Sequence, residues 1–90
     1  MKVNVCGMPH EIKHVTCGFQ SGMCGEITYK DCEINISEGL TPELEKITII
    51  HEVLHGIFTH IGRNDLAEDE ALVCSMANAV NQAFELRLEE

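Results

Sequence analysis

Two histidines and a glutamate are spaced so that they could act together on one metal ion. His51 and His55 are four residues apart, and Glu52 directly follows the first histidine. On an α-helix, residues at i and i+4 lie on one face, so both imidazoles can bind the same ion. Glu52 lies roughly 100° further round the helix, within reach of a water molecule on that ion. The H-E-x-x-H pattern therefore predicts a zinc site with Glu52 as the general base of a hydrolytic reaction.

The residues around this motif predict a helix over about 42–61. Thr41 is a suitable N-cap, and Pro42 suits the first helical position. Apolar residues at helical spacing predict its buried stripe, which comprises Ile47, Ile50, Leu54, Ile57, Phe58 and Ile61. His51 and His55 border this stripe. A single histidine there would usually be a hydrogen-bonded core residue, but a pair with a glutamate between them favours metal binding.

A second helix, expected over about 66–86, offers a third ligand. Its predicted apolar stripe comprises Leu66, Val73, Ala77, Val80 and Phe84. Glu70 falls on that stripe, where an acidic side chain needs a partner or a cation, and it is the predicted ligand. Asp65 and Glu68 resemble a capping box, and a solvated position in the first turn is the alternative for Glu70 itself. Cys74, four residues after Glu70, is expected near the site, where a thiol could interfere or be oxidised. The other possible third ligands are Glu68, Asp69 and, less favoured by its spacing, His60.

The segment HEVLHG, followed by EDEAL at the start of the next helix, resembles the ImmA/IrrE family of metallo-endopeptidases. The similarity is greatest to the short, stand-alone versions found in phages and prophages, and it covers most of the chain. It implies a minimal zincin-like fold and one Zn²⁺ per chain, held by His51, His55 and Glu70, with Glu52 as general base. It also implies a protein or peptide substrate, such as a phage repressor or another regulatory protein. The chain differs from the family at Gly56, where alanine is usual.

The residues before the zinc helix predict a small antiparallel sheet over about 2–37. Short apolar–polar alternation, broken by glycine and proline, predicts a first hairpin over residues 3–15. A second hairpin is expected over residues 26–37, in a register that pairs Ile27 with Ile34. This register places five side chains on one face: Ile27, Tyr29, Cys32, Ile34 and Ile36. The expected fold is therefore α+β, two hairpins followed by two helices, in a single domain.

The remaining histidines and the cysteines carry weaker signals. His10 and His14 are expected to be semi-exposed strand residues rather than ligands. The five cysteines are Cys6, Cys17, Cys24, Cys32 and Cys74. Their odd number and the lack of a C-x-x-C pair argue against a disulfide framework or a zinc ribbon, so free thiols are expected. The alternative is a second metal site that uses Cys17, Cys24 and Cys32, although their spacing is not diagnostic.

Length and composition limit the classes of function. The chain has 90 residues, of which 44% are hydrophobic, enough for one domain over 1–90 with a modest core. A net charge of −9 argues against a nucleic-acid partner, because phosphate binding needs a basic patch. The sequence contains no apolar run of about 18 residues, so no membrane span is predicted. The first residues also lack the apolar core of a secretory signal, so a cytoplasmic protein is expected.

These observations favour a zinc metallo-endopeptidase, in which Glu52 takes a proton from the attacking water and can pass it to the leaving amine. A peptide substrate is expected to lie as an extra strand along an exposed sheet edge. The alternative is a catalytically silent interaction or regulatory module of phage origin, in which zinc joins two helices of a small core. Glu52 favours the enzyme, because a structural zinc site needs no general base. A thiol-based redox protein is disfavoured, because no cysteine has a recognisable base beside it in the sequence.

Overall fold

The chain forms four strands followed by three helices in the residues that its computed structural model describes, 1–16 and 25–90. Cys17 and Cys24 lie outside the described residues. The α+β class is confirmed. In chain order the elements are β1 (Lys2–Val5), β2 (Met8–Val15), β3 (Gly25–Thr28), β4 (Glu33–Ser37), α1 (Pro42–His60), α2 (Asn64–Ala67) and α3 (Glu70–Ala83).

The described strands form one mixed sheet in the order β1-β2-β4-β3. Both predicted hairpins are present, and Ile27 pairs with Ile34 as expected. The two hairpins join through β2 and β4, which run parallel with Ile12 opposite Ile34, so the sheet is not purely antiparallel. The alternation of apolar residues specifies which face of each strand is buried, but it does not specify which strands of two hairpins become neighbours.

Helix α1 lies between the sheet and α3 and is buried on both sides. It begins as predicted, with the Leu44 amide donating to Thr41 Oγ1 at 3.2 Å and Pro42 in the first position. The core cluster on the sheet side comprises Val3, Val5, Ile12, Ile34, Ile36 and Ile49. The core cluster on the α3 side comprises Ile50, Leu54, Phe58, Val73 and Ala77. Ile61, predicted in the buried stripe, is 59% exposed, because the helix ends before it.

Two glycines allow α1 to approach the sheet closely. A Cβ atom at Gly56 would lie 2.7 Å from Val5 Cγ1 and 3.1 Å from Ile27 Cδ1. A Cβ atom at Gly25 would lie 2.9 Å from Thr48 Cγ2. These separations are shorter than carbon–carbon van der Waals contact, so neither position accepts a side chain without movement of its neighbours. The glycine that distinguishes this chain from the ImmA/IrrE pattern thus has a packing reason.

The helix predicted over 66–86 is interrupted, which corrects the sequence interpretation. It is divided into the short α2 and the longer α3. Asp69 is the N-cap of α3, with its Oδ1 accepting from the Leu72 amide at 3.1 Å, so the capping role assigned to Glu68 is wrong. Asp65 instead pairs with Arg63 through two hydrogen bonds of 3.0 and 2.9 Å. Aspartate side chains that bond to nearby amides compete with continuous helix, and here Asp69 starts a new one.

The chain after α3 is extended and returns to β1. The expected buried position of Phe84 is wrong: its side chain is 68% exposed, because the helix ends at Ala83 and Phe84 has extended backbone angles. Leu86 packs against both core clusters. The Lys2 amide donates to the Glu89 carbonyl at 2.6 Å, and the Glu89 amide donates to the Lys2 carbonyl at 2.8 Å. The outer edge of β1 is therefore partly paired.

The two strand histidines behave differently from each other. His14 is exposed and pairs with Glu45 on α1. His10 was expected to be semi-exposed, but it is only 1% exposed. It lies on β2, between β1 and β4, and on the same buried face as Ile12, and its Nδ1 hydrogen-bonds to the Met8 carbonyl at 2.8 Å. Within the described residues, none of the helices combines the length and apolar composition needed to cross a membrane.

Candidate metal centre

The three predicted ligands meet at the junction of α1 and α3. His55 Nε2 lies 2.7 Å from Glu70 Oε1, and His51 Nε2 lies 3.2 Å from Glu70 Oε2. The two Nε2 atoms are 3.1 Å apart. All of the possible ligand atoms lie within 4.8 Å of one another. The imidazoles are mostly buried, whereas the Glu70 side chain is 66% exposed, so the cluster opens towards solvent through the carboxylate.

The fold explains how these side chains come together. The i, i+4 spacing on α1 places both imidazoles on one face. Glu70 is the first residue of α3, directly after its cap, Asp69. Helix α3 is held against α1 by Val73 and Ala77, which pack in the cluster of buried residues on that side of α1. The break in the predicted helix does not remove Glu70 from the site, because the new helix begins at Glu70.

The other possible third ligands have different positions. Asp69 uses its carboxylate to cap α3, and Glu68 is the C-cap of α2. His60 lies at the end of α1, where its ring meets the ring of Tyr29 edge-on with the centroids 6.2 Å apart. The Tyr29 hydroxyl also accepts a hydrogen bond from Thr59 Oγ1 at 3.1 Å. None of these residues belongs to the group of possible metal ligands in the described part of the chain.

Each imidazole has a contact at its other ring nitrogen. His55 Nδ1 donates to the Ala67 carbonyl at 2.7 Å. His51 Nδ1 lies 3.7 Å from the thiol sulfur of Cys74. In a continuous helix the Ala67 carbonyl would accept from the amide four residues later, so the break between α2 and α3 makes it available to His55. Cys74 lies near the site, as its spacing from Glu70 predicts, whereas the contribution of the Ala67 backbone carbonyl has no sequence signature.

Burial shifts the pKa values of Glu52 and His51 in opposite directions. Glu52 is only 6% exposed. Burial, with smaller contributions from the negative charges of Glu70 and Glu26, raises the pKa of Glu52 to about 7. Burial lowers the pKa of His51, although the neighbouring Glu70 carboxylate opposes this shift. His51 is therefore expected to be neutral near pH 7, which is the form of imidazole that binds metals.

The arrangement brings electron-pair donors together. With its proton on Nδ1, the neutral ring of His55 presents a bare Nε2 lone pair towards Glu70. If His51 has the same tautomer, two nitrogen lone pairs and two carboxylate oxygens converge with no hydrogen-bond donor among them. Such a group is stabilised by a cation, either a proton or a metal ion. These three side chains could therefore hold a metal ion.

Of the three cysteines in the alternative second metal site, Cys32 is the one that lies within the described residues. Cys32 is half-buried, and its thiol donates to the Tyr29 carbonyl at a sulfur–oxygen distance of 3.7 Å. Its two proposed partners lie outside the described residues.

Comparisons with models of protein families, with curated proteins and with solved structures found no significant match.

Proposed function

We propose that this protein is a zinc-dependent metallo-endopeptidase that binds one Zn²⁺ through His51, His55 and Glu70. The observation that carries the proposal is the convergence of two imidazole nitrogens and a carboxylate from two helices. In a tetrahedral zinc site, with zinc–nitrogen distances of about 2.0–2.1 Å, two nitrogen ligands lie about 3.3 Å apart. The Nε2 atoms here are 3.1 Å apart. Three protein ligands also leave a fourth position open, as catalytic zinc sites do.

Glu52 supplies the proton transfer in this proposal. A bound zinc ion supplies Lewis acidity, which makes water nucleophilic near neutral pH and polarises a carbonyl oxygen. Glu52 accepts the proton of the attacking water and passes it to the amine of the leaving peptide. Its buried position, with 6% exposure, keeps the carboxylate away from bulk water that would compete for this proton. His51 and His55 hold the cation while they remain neutral, so neither has to move a proton.

The substrate would lie along β3. In the described sheet β3 is an edge strand paired only with β4, whereas the outer edge of β1 is partly paired by the Lys2–Glu89 bridge. Glu26 on β3 is near enough to Glu52 for its charge to raise the pKa of Glu52. An extended peptide that hydrogen-bonds to β3 would therefore pass beside the proposed proton acceptor. Backbone pairing of this kind suits a polypeptide substrate more than a small molecule.

Several features support a protein substrate in the cytoplasm. The resemblance of HEVLHG and EDEAL to the ImmA/IrrE family favours cleavage of a regulatory protein such as a phage repressor. The net charge of −9 disfavours binding to nucleic acid. Cys6, Cys32 and Cys74 are free thiols, which suits a reducing compartment. We therefore propose a cytoplasmic protein whose substrate is a regulatory protein.

A digest of a peptide library by zinc-loaded protein tests the proposal. We expect the wild type to cleave peptide bonds, and Glu52→Gln to reduce cleavage by about 10²-fold or more while zinc content stays at one per chain. Glu43→Gln is the matched control, because Glu43 is an exposed glutamate in the first turn of the same helix. The control should cleave like the wild type. Equal activity of Glu52→Gln and wild type would contradict the assigned role of Glu52.

The second function we consider is a catalytically silent module in which zinc joins α1 to α3. One observation favours it: Val73 and Ala77 are the fully buried residues of α3, so apolar packing holds this helix weakly. Structural metals commonly supplement small cores of this kind. This module would bind zinc and lose stability on its removal, but the wild type would cleave no peptide in the library or in lysate of the host.

A further inference from the structure

We propose that Cys74 is a positioning residue: its sulfur accepts the Nδ1 proton of His51 and so directs the Nε2 lone pair of that ring into the metal centre. This inference rests on the proposed metal-binding function. It assigns the thiol a role in stabilising the tautomer of His51 that metal binding requires, without making it a ligand. The Ala67 carbonyl has the same role for His55.

The tautomer of His55 follows directly from its contacts. Its Nδ1 lies 2.7 Å from the Ala67 carbonyl oxygen. A carbonyl only accepts hydrogen bonds, so Nδ1 carries the proton and Nε2 is bare in the neutral ring. The Nε2 atom of His55 therefore accepts, as does the Glu70 carboxylate beside it. Histidines that bind metals commonly have this arrangement: the ring nitrogen that does not bind the metal donates its proton to a neighbouring acceptor.

His51 has two possible places for its proton. On Nε2, the proton would lie between His55 Nε2, at 3.1 Å, and Glu70 Oε2, at 3.2 Å, and would occupy the space that a cation needs. On Nδ1, the proton would point to the Cys74 sulfur at 3.7 Å. Metal binding at Nε2 requires the second arrangement. The Cys74 sulfur is the acceptor that stabilises it.

The position of Cys74 on α3 supports this role. It is four residues after Glu70, so both side chains project from the same face of the helix towards α1. One helix thus supplies a carboxylate to the Nε2 atoms and a sulfur to Nδ1 of His51. Ser75 is the next residue along, is also exposed and points elsewhere on the helix, which makes it a matched control.

The test uses the whole protein with three substitutions, Cys74→Ala, Cys74→Asp and Ser75→Ala. Zinc affinity, measured by competition with a chelator, should fall by about 10-fold or more in Cys74→Ala. It should stay at or above the wild-type value in Cys74→Asp, because a carboxylate is a stronger acceptor than a thiol, and should be unchanged in Ser75→Ala. Zinc affinity in Cys74→Ala within twofold of the wild type would overturn the proposal.

A second measurement separates this inference from the proposed function. Ring ¹⁵N chemical shifts of the metal-free protein report which nitrogen of His51 carries the proton. We expect a larger fraction of His51 rings with the proton on Nδ1 in the wild type than in Cys74→Ala, with Nδ1 protonated on His55 in both. These shifts test the positioning role even if the wild type binds no zinc, a result that would overturn the proposed function alone. A sulfur-to-metal charge-transfer band on loading with Co²⁺ would make Cys74 a direct ligand and refute positioning.

Discussion

Replacing Glu52 by glutamine should stabilise the metal-free protein at alkaline pH, although the same change removes the proposed proton acceptor. Glu52 is 6% exposed, and its carboxylate has to be buried when the chain folds. Burial, followed by the negative charges of Glu70 and Glu26, raises the pKa of Glu52 from 4.5 to about 7. Glutamine has nearly the same size and carries no charge at any pH, so it avoids the penalty of burying a carboxylate.

The sign and size of the effect follow from these two pKa values. Below the unfolded pKa of 4.5, Glu52 is protonated in both states and the free energy of unfolding does not depend on this group. As the pH rises towards the folded pKa of about 7, the unfolded chain releases the proton while the folded chain keeps it, so stability falls. Above that pH the full loss is present. A tenfold difference in proton affinity corresponds to about 1.4 kcal/mol, so the loss amounts to about 3 kcal/mol.

Urea unfolding of both proteins with a metal chelator, followed by circular dichroism, measures this difference. The unfolding free energies of the wild type and Glu52→Gln should agree near about pH 4.5, and the variant should be more stable by about 3 kcal/mol at about pH 8. The control Glu43→Gln should differ from the wild type by less than about 1 kcal/mol across this range, because Glu43 is exposed in the first turn of α1, where the helix dipole contributes at most about 1 kcal/mol. A difference for Glu52→Gln that is the same at both pH values would refute the reasoning.

Three further predictions concern the ligands and the packing of α1. His55→Ala should abolish stoichiometric zinc binding and lower the melting temperature of the metal-loaded protein, whereas His60→Ala should retain the zinc and the wild-type melting temperature. If elemental analysis finds one zinc per chain in His55→Ala, the ligand assignment is wrong. Glu70→Gln should weaken zinc binding by at least about 10-fold in a chelator competition, because it removes the anionic ligand, and Glu68→Gln should leave affinity unchanged. Gly56→Ala should destabilise the protein by about 2 kcal/mol in urea unfolding. A Cβ atom 2.7 Å from Val5 Cγ1 places the overpacking cost near the upper end of about 1–3 kcal/mol, and helix propensity returns only about 1 kcal/mol. Unchanged or increased stability of this variant would contradict the close contact between α1 and the sheet.

Local geometry explains which parts of the site could be predicted from the sequence. His51, Glu52 and His55 lie on one helix, and the cap at Thr41 marks its start, so their relative positions depend only on helical spacing. Glu70 was identified because an acidic residue in an apolar stripe needs a partner. That argument assumes a continuous helix, yet Glu70 still lies beside the two histidines because residues at the start of α3 face α1.

The predictions that differ from the structure concern features that local sequence signals specify ambiguously or not at all. Asp65 and Asp69 are both acceptable N-caps, and packing of the following helix against α1, which is not a local property, decides between them. The parallel pairing of β2 with β4 depends on which hairpin edges meet, and alternation cannot specify this. The burial of His10 depends on the same strand pairing. Because β2 lies between β1 and β4, its residues are more buried than those of an edge strand. Every residue type has a backbone carbonyl, so the role of the Ala67 carbonyl cannot be recognised from the sequence.

The division of the site between α1 and the α2–α3 segment has a consequence for the rate of metal release. Glu70, the Ala67 carbonyl and Cys74 contact the two histidines, and all three belong to α2–α3. Helix α1 is anchored on its other side by the sheet, whereas α3 has few fully buried residues. Such a segment is expected to open locally at lower free energy than the whole domain. One opening would remove every one of these contacts together, so the lifetime of a bound ion would follow the opening rate of α2–α3, and amide hydrogen exchange in α3 would slow as the ion is held longer.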